Sequence, residues 1–161
     1  MRNNLIDKKW LKRVSDLLKQ KKLTIATAES CTGGLIAHSL TNISGSSDYF
    51  DRGIISYSNN AKKELLSVPE VFLKKFGAVS RQVAEVMANN VRIKSNVDIG
   101  IATTGIAGPT GGTKNKPVGL VFIAVSTKEK TIIKEFKFIG NRLENKESSC
   151  NKTLEMLIDL I

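Results

Sequence analysis

Apolar positions along this chain fall into two rhythms. Near the amino end, Trp10, Val14, Leu17 and Leu18 recur at helical spacing among lysines, which predicts an amphipathic helix within residues 1–22. "LTIATA" (23–28) then reads as a short buried strand, closed by a polar turn over 29–34. Residues 31–41 return to a helical rhythm, with Leu35, Ile36 and Leu40 on one side. After a loop at "NISGSSD" (42–48), "YFDRGIISYS" (49–58) predicts a strand. "NNAKKELLSV" (59–68) predicts a short helix with an asparagine at its start.

Pro69 suits the opening of the next turn, and "SRQVAEVMANNVRI" (80–93) predicts a helix capped by Ser80. "VDIGIATTG" (97–105) is a second buried strand, followed by the glycine-rich loop "GIAGPTGGTKNKP" (105–117). "VGLVFIAVS" (118–126) and "TIIKEFKFI" (131–139) flank Thr127–Lys130 as a hairpin. Cys150, Leu154, Leu157, Ile158 and Ile161 keep helical spacing to the end, predicting a closing helix. Helices interleaved with buried strands, plus one hairpin, predict an α/β fold: a three-layer α/β/α sandwich with a mixed, mostly parallel sheet. At 161 residues, without a repeat or low-complexity linker, one domain over 1–161 is expected.

Composition narrows the function classes. No apolar run reaches the ~18 residues of a membrane helix, and "MRNNLIDKKW" lacks the apolar stretch of a secretory signal. Two cysteines, no CxxC and one histidine argue against a disulfide framework or a zinc site, so a cytoplasmic location is expected. Net charge is +10, and residues 1–22 hold eight Lys/Arg against two Asp. Lysines on the outer face of an amphipathic helix are ordinarily solvated surface, and no RNP-like motif or zinc finger accompanies them. A nucleic-acid partner is therefore not expected, nor is a membrane.

The polar turns after strands are where such folds hold ligands. Four glycines at 105, 108, 111 and 112 allow backbone amides to approach an anion, although neither GxxxxGK[ST] nor GxGxxG is matched. Cys31 and His38 would stand about 10 Å apart on one helix, too far for a direct hydrogen bond. Cys31 then reads as a small buried hydrophobe and His38 as a helix-face residue. Ser30, at a strand-to-helix junction, is either a helix cap or a nucleophile served by neighbouring amides. In "YSNNAK" (57–62), Tyr57 would end a strand and Lys62 would lie in a first helical turn. There the helix dipole and burial both lower a lysine pKa, as a serine-activating base requires.

"AESCTGG" (28–34), "GSSDYFDRGIISYSNNAK" (45–62), "GAVS" (77–80) and "TGIAGPTGGTKNKPVGLVFIAV" (104–125) together resemble the CinA carboxy-terminal domain, or nicotinamide-nucleotide amidase, family. The resemblance runs in order over roughly residues 5–160. It implies a three-layer α/β/α amidohydrolase that converts nicotinamide mononucleotide and water to nicotinate mononucleotide and ammonia, without a metal or other cofactor. The family's serine nucleophile falls on Ser30, its active-site tyrosine on Tyr57 and its lysine on Lys62. In this reading Tyr57 orients Lys62 or relays a proton to ammonia. The nucleotide's phosphate and ribose would use the amides of Thr32 and Gly33, and of Thr104, Gly105, Ile106, Ala107 and Gly108. Arg142, in "FIGNR", matches a family arginine that would add a phosphate contact.

"GNRLENK" departs from the usual GDR followed by a further arginine. Thr110 stands where aspartate is common, and Asn60 where glutamate is common. The amino-terminal domain of long CinA proteins, with any pyrophosphatase activity it carries, is expected to be absent. A homodimer is expected by resemblance alone. The alternative reading is a non-catalytic nucleotide-binding regulatory module of the competence or damage-inducible type.

Overall fold

The structure, a computed structural model, describes residues 6–161. Arg2, part of the basic amino-terminal segment, lies outside the described residues. Five strands form one sheet: β1 (Ile25–Glu29), β2 (Phe50–Ile55), β3 (Ile99–Gly105), β4 (Leu120–Ser126) and β5 (Thr131–Lys137). Their spatial order is β2-β1-β3-β4-β5. β1 pairs parallel with both β2 and β3, whereas β4 runs antiparallel to β3 and to β5. Four strands thus point one way and β4 alone runs back, as the mixed, mostly parallel expectation requires.

Alternating side chains feed two cores. Ile25, Ile99, Ile101, Val121, Ile123 and Val125 face a layer of α1 (Lys8–Lys21), α2 (Leu35–Thr41) and α6 (Arg142–Leu160). Ala26, Ala28, Ala102, Phe122 and Ala124 face α3 (Asn59–Leu66), α4 (Glu70–Phe76) and α5 (Arg81–Ser95). Small residues prevail on the second face because α5 lies close: a Cβ on Gly100 would stand 2.2 Å from the Ala88 carbonyl oxygen. Burial on both faces explains why β3 and β4 read as continuous apolar runs. Each fully buried Leu, Ile or Val contributes about 1.5–3 kcal/mol.

Local chemistry sets the helix ends. Asp7 caps α1 through the Lys9 and Trp10 amides, and its own N–H donates to Asn151 Oδ1 of α6 at 2.8 Å. Ser80 caps α5 as expected, and Asn141 with Glu144 forms a capping box at α6. The buried stripe of α1 is Leu11, Val14, Ser15 and Leu18; Trp10 and Leu17 flank it half-buried. Part of the basic face is engaged structurally. Lys12 pairs with Asp16, while Lys19 donates to the Ser44 carbonyl and sits over the Tyr49 ring.

Two expectations need correction. α2 begins at Leu35, not at residue 31, because Gly33 and Gly34 adopt φ of +60° and +95°, which no right-handed helix accommodates. α3 opens on Asn59 as expected, with Ser58 before it as the cap, accepting from the Ala61 amide at 3.0 Å. α4 was not expected, since its seven residues bury only Leu73 and carry too little periodicity to register. It is steadied by an edge-to-face contact between Phe72 and Phe76, one turn apart.

Candidate active site

The chain leaves β1 at the carboxyl edge of the parallel strands and turns at once. β1 lies between β2 and β3; the β1–β2 connection runs through α2 on one sheet face and the β2–β3 connection through α3, α4 and α5 on the other, a topology that leaves a crevice. Glu29, the last residue of β1, is 1% exposed. Its Oε2 accepts from Thr32 Oγ1 (2.6 Å) and from the amides of Gly34 (3.0 Å) and Ile36 (3.1 Å). Its Oε1 accepts from the Ala37 amide at 2.8 Å and from Thr27 Oγ1 at 3.3 Å. This carboxylate therefore does the capping of α2, and Gly34, the formal cap, contributes no side chain. Ser30 is thereby released from the capping role that its position allowed.

Ser30 instead faces Lys62. The Lys62 amine lies 2.9 Å from Ser30 Oγ, and it also donates to the carbonyls of Ser56 (2.7 Å) and Tyr57 (3.2 Å). Lys62 is 1% exposed and Ser30 8%, so the pair lies under the surface with the hydroxyl just reachable. Burial lowers the Lys62 pKa from its ordinary value near 10.5 to about 8. A Cys31 thiolate would oppose that shift, but burial pushes this thiol up to about 12 and keeps it neutral. With two N–H bonds fixed on carbonyls, the remaining tetrahedral direction of Nζ faces Ser30. A neutral amine held this way presents its lone pair to the hydroxyl proton.

The Ser30 amide is held by the Thr103 carbonyl (3.0 Å), and the Gly33 amide closes a turn on the Ser30 carbonyl (3.1 Å). Among the described residues, the amides of Cys31 and Thr32 donate to no backbone carbonyl outside helices and strands. Thr32 is also fixed through its hydroxyl, 2.7 Å from Thr103 Oγ1.

The glycine loop divides likewise. The Thr104 hydroxyl donates to the Ala78 carbonyl, Gly105 pairs with Val121, and the Ile106 amide donates to the Leu120 carbonyl at 2.9 Å. Past Ile106, the carbonyls of the buried Ala107 and Gly108 accept from Asn145 and Arg142.

Tyr57 reaches Lys62 through its backbone carbonyl; the residue is 57% exposed and its phenol is turned to Arg142. Arg142, first residue of α6, donates from Nη2 to Tyr57 Oη (2.7 Å) and from Nη1 to the Gly108 carbonyl (2.8 Å). It thus ties three separated segments together. Beside it opens a cleft of about 640 Å³, lined by Ala107, Pro109, Val118, Leu143, Arg142 and Lys146 among others. His38, by contrast, is exposed and bonded to Asn42, the residue that caps the end of α2. Glu29 and Lys146 are the residues that pattern reading missed. An acid ending an otherwise apolar strand was the available clue for Glu29. Lys146 is one lysine among many until α6 is docked.

These features define a class: a three-layer α/β/α domain with a buried serine–lysine pair at the carboxyl edge of its sheet. The family of CinA C-terminal domains matches residues 7–161, and this chain belongs to that family. It is 52% identical over 153 residues to a putative competence-damage inducible protein of Caldicellulosiruptor saccharolyticus, a match covering 94% of this chain and 37% of that protein. It is also 52% identical over 145 residues to a CinA-like protein of Syntrophus aciditrophicus, covering 89% of this chain and 34% of that one. The chain thus spans about a third of the length of these curated relatives.

Among solved structures, the competence/damage inducible protein CihA from Agrobacterium tumefaciens superposes with a TM-score of 0.92 at 42% identity. That match covers 94% of this chain and 93% of that chain. Among the described residues, no helix is long and apolar enough to cross a membrane.

Proposed function

We propose that this chain is an amidohydrolase that converts nicotinamide mononucleotide and water into nicotinate mononucleotide and ammonia, using Ser30 as nucleophile and Lys62 as base. The observation that carries the reading is the 2.9 Å contact between a buried, pKa-lowered lysine and a serine hydroxyl that no helix end claims. Neutral Lys62 takes the Ser30 proton as Oγ adds to the carboxamide carbon. In this scheme the oxyanion accepts from the amides of Cys31 and Thr32, which among the described residues donate to no backbone carbonyl outside helices and strands. The Lys62 ammonium returns its proton to the departing nitrogen, ammonia leaves and an acyl-Ser30 ester remains. Water then adds to that ester, its proton passing to Lys62, and collapse restores Ser30 and releases the carboxylate.

In this scheme Tyr57 orients Lys62 through its carbonyl, and Arg142 holds Tyr57 in place. The nucleotide lies in the cleft beyond Ala107 and Gly108. A pKa of about 8 leaves roughly a tenth of Lys62 neutral at pH 7, enough to sustain turnover.

The test is ammonia release from nicotinamide mononucleotide by the purified chain and its Ser30→Ala variant. Wild-type turnover with at least a thousandfold loss in the folded variant is expected. Binding of pyridine nucleotides without any ammonia would instead favour a non-catalytic nucleotide-binding module.

A further inference from the structure

Two cations of α6 line the cleft one helical turn apart, Arg142 and Lys146, and their surroundings differ. Arg142 is a tie: its two terminal nitrogens are engaged by Tyr57 Oη and the Gly108 carbonyl. Lys146 is half-buried, and among the described residues it forms no ion pair or hydrogen bond. Its amine approaches Gly33, three residues past Ser30, so that a Cβ there would lie 3.5 Å from Nζ. It is also near enough to act electrostatically on the Cys31 thiol. This half-buried ammonium beside a largely apolar cleft, without an ion pair among the described residues, is open to an anionic ligand. The other walls, Ala107, Pro109, Val118 and Leu143, offer no negative group.

We infer that Lys146 is the specificity-determining residue of this site: its ammonium receives the phosphate monoester of the substrate, and Arg142 serves as a positioning residue. The inference rests on the proposed amidase reading for the identity of the substrate. It names a different contact from the one that the family resemblance implies for Arg142. A phosphate monoester carries nearly two negative charges at neutral pH, and a charge-assisted bond from this ammonium separates a nucleotide from its nucleoside. Lysine suits this task as a point charge and needs no bidentate fork.

The experiment measures calorimetric Kd values for nicotinamide mononucleotide and nicotinamide riboside on the full chain carrying Ser30→Ala, so that turnover does not intrude. Lys146→Met, Lys146→Arg and Arg142→Met are compared in that background, and ammonia release is assayed separately on chains retaining Ser30. Lys146→Met should weaken nucleotide binding by roughly ten- to a hundredfold and riboside binding by less than twofold. Lys146→Arg should recover most of the nucleotide affinity. Arg142→Met should affect the two ligands alike.

A nucleotide preference unchanged by Lys146→Met, or abolished by Arg142→Met instead, overturns the assignment, even where wild-type ammonia release upholds the amidase reading. Lys146-dependent preference without ammonia release keeps the assignment and removes the amidase. Binding of neither ligand removes both.

Discussion

Replacing Lys62 with methionine should make the protein more resistant to heat at neutral pH while abolishing catalysis. The pKa of Lys62 falls from about 10.5 in the unfolded chain to about 8 in the fold, chiefly by desolvation. Between those values the unfolded chain holds a proton that the folded chain has released, so wild-type stability rises with pH across that window. Above the window the amine is neutral in both states and the penalty is gone. Below it both states are charged and the penalty is full. The span of roughly 2.5 pH units corresponds to about 3 kcal/mol.

Methionine keeps the apolar stem but strands the carbonyls of Ser56 and Tyr57, which offsets about 1 kcal/mol or more at every pH. The pH-dependent part is free of that offset. Thermal melts of wild type and Lys62→Met, run in steps from pH 7 to pH 10.5, isolate it. The wild-type Tm should gain roughly 6–12 °C relative to the variant over that range. Parallel pH profiles would show that Lys62 titrates as an ordinary lysine and would remove the chemical basis for its role as a base.

Two further outcomes follow from the same turn. Glu29→Gln offers one oxygen where two now accept backbone N–H groups, so an amide must face an amide at the start of α2. Scanning calorimetry should find a loss of roughly 3 kcal/mol, and a Tm within 2 °C of wild type would refute the capping assignment. Cys31, buried with its thiol pushed up to about 12, should react with iodoacetamide at pH 8 at least a hundredfold more slowly than a free thiol, and Cys31→Ala should retain activity. Rapid alkylation with parallel inactivation would place the thiol in the chemistry.

Much of this architecture was legible because burial on both sheet faces leaves long apolar runs in β3 and β4, and because Ser80 and the α5 pattern agree. The residues that carry the proposed chemistry were legible as types: a serine after a buried strand and a lysine in a first helical turn. Their partnership was not, since 32 residues separate Ser30 from Lys62 and only the pairing of β2 beside β1 brings them together. The start of α2 was misplaced for a related reason. Periodicity runs on through residues 31–34, and only the left-handed glycines with the reach of Glu29 set the true boundary. Tyr57 illustrates the same limit, because its main chain touches Lys62 while its ring faces Arg142, a division invisible in residue type.

The Arg142 tie has a temporal consequence. Ser30, Tyr57 and Lys62 all leave the ribosome before Arg142 is synthesised. The guanidinium that steadies Tyr57 and Gly108 arrives 85 residues after Tyr57, on the final helix. The residues of the reactive pair are therefore both made before the wall of the cleft is complete. Docking of α6, late and long-range, is the event that turns two neighbouring side chains into a chamber.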